Sequence, residues 1–505
     1  MLPRNFTIIC VTLFASSVCH ILHQRTHTAM LVGEALEMID RHYVEPVDDR
    51  ELILAALAGM TSKLDQHSEF IPPLDYESFQ DNIQQEFAGI GIYVDQPAAD
   101  GPVRVITPLV GSPALAAGVM PGDQIIRVDG QTVSAMDIRA VSDRLRGPVG
   151  TTVALTLQRG DEEVQTSMIR DNIQMESVIG DHRDADNRWV YRLDENPRVA
   201  YVRMTSFGDK TVNELRDVLK DLDDDFDALV LDLRGNGGGL LTAAIDVSDM
   251  FLESGKIVST KTRGGKLEET AESTSGTLVD FEIPMAILID HDSASASEIV
   301  AAALQDNRRA IVGGTRSYGK GTVQNILPLE YGRSALRLTV AKYYRPSDAN
   351  IHRGKDDTEE DVWGVTPDEG LEIELDLASL RRLMTLWQEA SYPSLKGIDR
   401  ATFAAASQPE AAELSPEEPN FGEPSAANPA TDVQVVDVAA TDASAASTDE
   451  TTLQDVIAGD ATVWQLDKPL VAVVQKMLES RDRDESSVSE ESDEPETEQV
   501  PRKAG

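Results

Sequence analysis

Serines and a lysine carry the chemistry this chain could do. Residues 292–324, DSASASEIVAAALQDNRRAIVGGTRSYGKGTVQ, put Ser293, Ser295 and Ser297 at the start of an apolar helical run. Lys320 follows in a turn between Gly319 and Gly321, after the short apolar strand Ile311-Val312. A serine hydroxyl is a weak nucleophile until a base takes its proton. A lysine can be that base once burial lowers its pKa towards neutrality. The positive end of a helix then favours the oxyanion formed when the serine attacks a carbonyl. This is the pattern of a hydrolase without a catalytic histidine. The local sequence leaves open which serine matters, because Ser295-Ala296-Ser297-Glu298 is also an S-x-x-E capping box. His291, just ahead of the cluster, is expected to be a surface or turn residue, since Lys320 fills the base role.

A glycine-rich loop could complete such a site. Leu231-Asp232-Leu233-Arg234-Gly235-Asn236-Gly237-Gly238-Gly239 runs from an apolar strand through a glycine turn towards a helix. A dinucleotide-binding motif begins the same way, but in the register from Gly235 its third glycine falls on Leu240. Exposed backbone N–H groups forming half of an oxyanion hole suit the loop better. The stretch Gly314–Gly321 nearly satisfies a P-loop. It has Gly321 where Ser or Thr must hold Mg²⁺, and a strand rather than a helix follows. Nucleotide binding is therefore not expected.

These residues need elements to hold them. From Ala29 to about Phe87 the pattern is helical, with Ile39, Tyr43, Leu52, Leu57 and Met60 at helix-like spacing. Short strands and glycine turns follow to about Arg170. Within them, Ser112-Pro113-Ala114-Leu115-Ala116-Ala117-Gly118, Pro121-Gly122-Asp123 and Ile125-Ile126-Arg127-Val128-Asp129-Gly130 resemble a PDZ domain. Such a domain adds a peptide strand to a sheet edge and captures its terminal carboxylate on backbone N–H groups. Gly89, Ile90, Gly91 and Ile92 are the candidate carboxylate-binding loop, where glycine permits close backbone approach. After Val199, apolar strands (199–204, 228–233, 285–289) alternate with helices (210–222, 240–252, 298–305), which implies a layered α/β core.

The flanks differ in kind. The first 28 residues carry Arg4, then an apolar run from Phe6 to about Val18, as in a secretory signal or short signal anchor. An exported protein of the cell envelope or periplasm is expected, with the N-terminus as its membrane attachment if retained. Residues 397–455 are rich in Ala, Ser, Pro and Glu and are expected to be a disordered linker. Amphipathic character returns over 464–480, a helix that could dock back on the folded body, before an acidic tail from 481 to 505 that is expected to be disordered. The chain has 505 residues and a formal net charge of −42, which argues against binding nucleic acid through a basic face. Its two cysteines, Cys10 and Cys19, both lie in the leader. They leave no disulfide framework, cysteine metal site or thiol nucleophile for the body.

The order of these motifs over 29–371, ending with Gly364-Val365-Thr366-Pro367-Asp368, resembles the carboxyl-terminal processing peptidases, or tail-specific proteases. The resemblance implies a ClpP/crotonase-like α/β protease core over 172–396, an inserted, mainly β PDZ domain over 87–171 and a helical N-terminal region over 29–86. It implies Ser295 as nucleophile, Lys320 as general base and Gln324 as the residue that orients the lysine. The oxyanion donors would be the N–H of Ala296 and that of Gly238 or Gly239. Arg146 sits where some members use a PDZ arginine to couple ligand binding to activity. Substrates would be proteins or peptides with free C-termini, and neither metal nor organic cofactor is implied. The acidic segment after the core has no counterpart role in the family. An inactive PDZ-bearing scaffold is the alternative, which the intact serine, lysine and glutamine oppose.

Overall fold

The computed structural model describes residues 30–97, 101–274, 276–358, 360–396 and 462–491, so the leader, the whole linker and the end of the tail lie outside it. The chain forms two units, one of residues up to Tyr76 with Gln324–Thr339, the other of Glu77–Val323 with Val340 onward. In the first, residues 30–42 are helical and Asp48 caps the helix Asp49–Thr61, its carboxylate accepting the Arg50 N–H at 2.8 Å. The strand Glu69–Ile71 interrupts a stretch whose pattern is helical. It pairs antiparallel with residues 335–337 of the strand Ser334–Tyr344. A three-residue strand is too short to leave a period in the sequence, and its partner lies far along the chain.

The second unit is built on a five-stranded sheet in the order Val178–Ile179, Val199–Met204, Ala228–Asp232, Met285–Ile289, Ile311–Gly314. The last four are mutually parallel, a pairing that needs crossover connections of the kind the intervening helices supply. Their alternating residues serve two cores. Val202, Leu229, Leu231, Ile287 and Ile289 pack under the helices Thr211–Leu222, Leu241–Asp249 and Ala296–Asp306. Val199, Tyr201, Val230, Ala286 and Leu288 face the other way, onto Leu470, Val473, Val474 and Met477 of the C-terminal helix Lys468–Glu491. Both faces are covered, which is why these strands are continuous apolar runs rather than alternating ones. The antiparallel pair Lys256–Thr262 and Lys266–Glu272 escapes a hydrophobicity reading, because the second strand, KLEETAE, is almost wholly exposed.

The PDZ-like part has its own core of Val103, Val105, Ile125, Val153, Leu155 and Leu157. Its sheet ends on one side at Ile92–Asp95, paired with Arg104–Pro108, and the helix Ile138–Leu145 is capped by Asp137, which accepts the Ala140 N–H at 2.7 Å. Asp123 of the P-G-D turn is buried in a two-pronged pair with Arg159, both contacts 2.7 Å. Two further contacts tie this part to the segment after the core helix Leu377–Ser391. Tyr93 meets Tyr392 edge to face at 5.8 Å between ring centres, and the Thr107 and Ser394 hydroxyls lie 2.9 Å apart.

Candidate active site

Ser295 is the N-cap of the helix Ala296–Asp306, but not in the extended conformation usual there. Its φ of +57° and ψ of −111° are strained for a residue with a Cβ. Strain of this kind persists only where the surroundings enforce it, and it clusters at functional positions. The enforcement comes from both flanks. Ser293 Oγ donates to Leu233 O at 2.9 Å, the Ala294 N–H to Asn236 O at 3.0 Å, and Ser297 Oγ to the same Asn236 O at 2.8 Å. The serine cluster is thus bonded to the glycine loop residue by residue. Of the three serines, Ser293 and Ser297 use their hydroxyls in this scaffold.

Glu298 makes its half of the capping box, accepting the Ser295 N–H, and it does more than cap. Glu298 is fully buried, and its Oε2 accepts the N–H of Ser295 at 2.8 Å and of Lys320 at 2.8 Å. Its Oε1 accepts from Ser317 Oγ and the Gly319 N–H, both at 2.6 Å. One carboxylate therefore joins the serine loop to the lysine loop through a shared oxygen. Burial raises its pKa to about 7, against the pull of the four donated hydrogen bonds towards the charged form. The sequence shows Glu298 only as the last letter of a capping box. Its partners at 317–320 are separated from it by a helix and a strand.

Both glycines beside Lys320 are required by close approach. A Cβ on Gly321 would lie 2.1 Å from the His352 nitrogen, and one on Gly319 2.8 Å from the Arg353 Cβ. The Gly319 carbonyl accepts the Arg353 N–H at 2.8 Å, and the Gly321 carbonyl accepts that of Tyr343 at 2.9 Å. The strand Thr322–Leu329 follows directly, so the helix that a P-loop requires is not there. Gln324 belongs to the first unit, where its Nε2 donates to Thr339 Oγ1 at 3.3 Å and that hydroxyl donates to Asp65 Oδ1 at 3.1 Å.

In the glycine loop, Gly238 and Gly239 differ. A Cβ on Gly238 would stand 2.6 Å from Ala294 O, 2.8 Å from the Ser295 Cβ and 2.9 Å from the Ala296 nitrogen. Gly239 instead turns onto Phe207, whose carbonyl oxygen a Cβ would meet at 2.1 Å. Gly238 is therefore the glycine against the serine, and its N–H is donated to Asn236 Oδ1 at 2.9 Å. The loop starts from Arg234, buried between Asp232 and Asp467, neither of which local sequence connects to it as a pair.

The remaining candidates lie apart. Ile90 is buried, with its carbonyl accepting the Ala114 N–H at 3.0 Å. The Gly91 carbonyl accepts that of Leu109 at 3.0 Å. Gly91 has φ +73°, and a Cβ there would come within 2.5 Å of the Ser112 Cβ. Gly89 ends a strand paired with Asp171–Gln174, and Ile92 opens the edge strand. Arg146 caps the PDZ helix at its C-terminus, forms an ion pair with Asp81 and lies 5.2 Å over the Phe87 ring. His291 is exposed beside Asp292 at 3.5 Å.

Residues 198–370 match the model of peptidase family S41, and residues 104–159 that of a PDZ domain. The chain is 39% identical over 344 residues to a carboxy-terminal-processing protease of Bartonella bacilliformis, across 66% of this chain and 73% of that protein. It is 32% identical over 352 residues to the carboxy-terminal processing protease CtpA of Bacillus subtilis, across 68% and 72%. A solved photosystem II D1 C-terminal processing protease aligns at 26% identity and a TM-score of 0.39, over 69% of this chain and 92% of that one.

Proposed function

The chain belongs to peptidase family S41, among the PDZ-bearing carboxy-terminal processing proteases, and from that premise we propose that it cleaves proteins by a Ser295–Lys320 acyl-enzyme mechanism after recognising their C-termini. The observation that carries this reading is the Glu298 carboxylate, which holds the Ser295 and Lys320 backbones on one oxygen atom. Lys320 takes the proton from Ser295 Oγ as the hydroxyl attacks the scissile carbonyl. The tetrahedral oxyanion accepts the Ala296 N–H at the helix start and that of Gly238, which leaves Asn236 Oδ1 to reach it. Lys320 then protonates the leaving amine, and water attacks the acyl-serine with the lysine again as base.

Recognition belongs to the PDZ domain. Its sheet ends at Ile92–Asp95, the edge to which a peptide strand would add, and the backbone from Gly89 to Ile92 would receive the terminal carboxylate. Arg146, held by Asp81, is the residue through which an occupied PDZ groove would be sensed. The early apolar run supports export to the cell envelope or periplasm, with attachment to the membrane through the leader.

One experiment tests the whole reading against an inactive PDZ scaffold. Wild type, Ser295→Ala and Lys320→Ala are compared on an unstructured peptide with a free or an amidated C-terminus. Wild type should cut the free form faster, and each variant should lose at least about 10³-fold in rate. Equal cleavage by all three proteins sinks the dyad. Equal cleavage of both substrates sinks carboxylate recognition.

A further inference from the structure

Arg234 opens the glycine loop and is enclosed on every polar atom of its guanidinium. Its Nε and Nη2 donate to Asp232 Oδ1 and Oδ2 at 2.9 and 2.6 Å. Nη1 and Nη2 donate to Asp467 Oδ1 and Oδ2, both at 2.8 Å. Trp387 lies over the same group at 4.9 Å, and over Arg203 at 3.7 Å. Asp467 comes from beyond the 397–461 segment, in the connection between the helices Val463–Leu466 and Lys468–Glu491, and is fully buried. Its Oδ1 also accepts the Leu470 N–H at 3.1 Å, so one carboxylate caps the C-terminal helix and clamps the arginine.

The clamp is two residues from the atoms that fasten the loop to the serine cluster. Asn236 O accepts Ala294 N–H and Ser297 Oγ, and Asn236 Oδ1 accepts Gly238 N–H. A shift of Arg234 is transmitted along this short backbone to Gly238, which packs on Ser295 and Ala296. Two-pronged, buried charge pairs fix geometry as well as energy. We propose that Asp467 is a positioning residue for peptide cleavage, so that the C-terminal helix completes the oxyanion loop and the protease is fully active only while that helix is docked. The inference rests on the Ser295 site proposed above.

The full-length protein tests it. Asp467→Asn keeps the size of the side chain and removes its charge. At a temperature where it stays folded, its kcat should fall roughly 10²-fold with KM unchanged, as when an oxyanion donor is displaced. Arg481→Ala is the control, since Arg481, on the helix that Asp467 caps, pairs instead with Asp227 at 2.6 Å, and it should keep wild-type kcat. If Asp467→Asn does not fold, Asp467→Glu decides, because it keeps the charge and moves it by one methylene; its kcat should also fall with KM unchanged. Wild-type kcat in either folded Asp467 variant overturns the proposal. So does a loss of kcat in Arg481→Ala that matches theirs. Labelling of wild type by a serine-reactive fluorophosphonate, lost in Ser295→Ala, is measured in parallel. Its absence would overturn the Ser295 reading itself, and its presence beside an unimpaired Asp467→Asn would overturn only this one.

Discussion

Glu298 gathers two loops with two oxygen atoms, and all four of its partners are donors. Only the ionised carboxylate can accept from all of them, yet burial raises the group to about 7. The native state thus holds this proton more tightly than the unfolded chain, whose glutamates titrate near 4.5. Between those values the unfolded chain gives up the proton while the native protein keeps it. Stability therefore falls as pH rises through the window and levels off above it, by at most about 3 kcal/mol. A scan of Tm from pH 5 to 8 should show a downward slope in wild type that is smaller in Glu298→Gln. Equal slopes would remove Glu298 as its source. The sequence pattern names Ser295 and Lys320 only through their surroundings, since the serine also fits a capping box and the lysine a near-miss P-loop. Glu298 was legible as a cap, because S-x-x-E is local, and illegible as a bridge, because residues 317–320 meet it only in three dimensions.

Among the elements, the C-terminal helix is the one whose role exceeds its sequence signature. Its amphipathic pattern over 464–480 is legible, but the pattern does not say which surface takes the apolar face. That surface is the second side of the parallel sheet, where Leu470, Val473, Val474 and Met477 cover Tyr201, Val230 and Leu288. Gly313 lets Val473 in, since a Cβ there would lie 2.5 Å from its Cγ1. Met477→Ala should cost about 2–4 kcal/mol, as buried large-to-small substitutions do. The check is a lowered midpoint in urea at unchanged m-value. A midpoint equal to wild type would mean that the helix is not part of the cooperative fold. The strands themselves were readable for the same reason that the helix is needed: burial on both faces makes them uniformly apolar.

For the molecule as a whole, the question is how the PDZ domain is held to the protease core. Tyr93 on the edge strand packs against Tyr392, which ends the helix carrying Trp387, and Trp387 lies over Arg234. An edge-to-face aromatic pair contributes about 0.5–1.5 kcal/mol beyond its buried area. Tyr392→Ala should therefore raise amide exchange in residues 92–95 and 104–107 by up to about tenfold, while Ile125 and Leu155 in the PDZ core keep their protection. Unchanged exchange at the edge would show that this contact does not restrain the domain.

The sequence by itself determined the main apolar strands and helices of the core, the order of the motifs and the family, because periodicity, glycine turns and short motifs are local. It missed the strand Glu69–Ile71 and the antiparallel pair Lys256–Thr262 and Lys266–Glu272. It also singled out the loops in which the proposed chemistry sits. Only the tertiary structure decided that Gly238 rather than Gly239 lies against Ser295, that one buried carboxylate ties the serine to the lysine loop, and that Asp467 clamps Arg234. These pairings join residues far apart in the chain, and their partners are selected by burial and charge rather than by spacing.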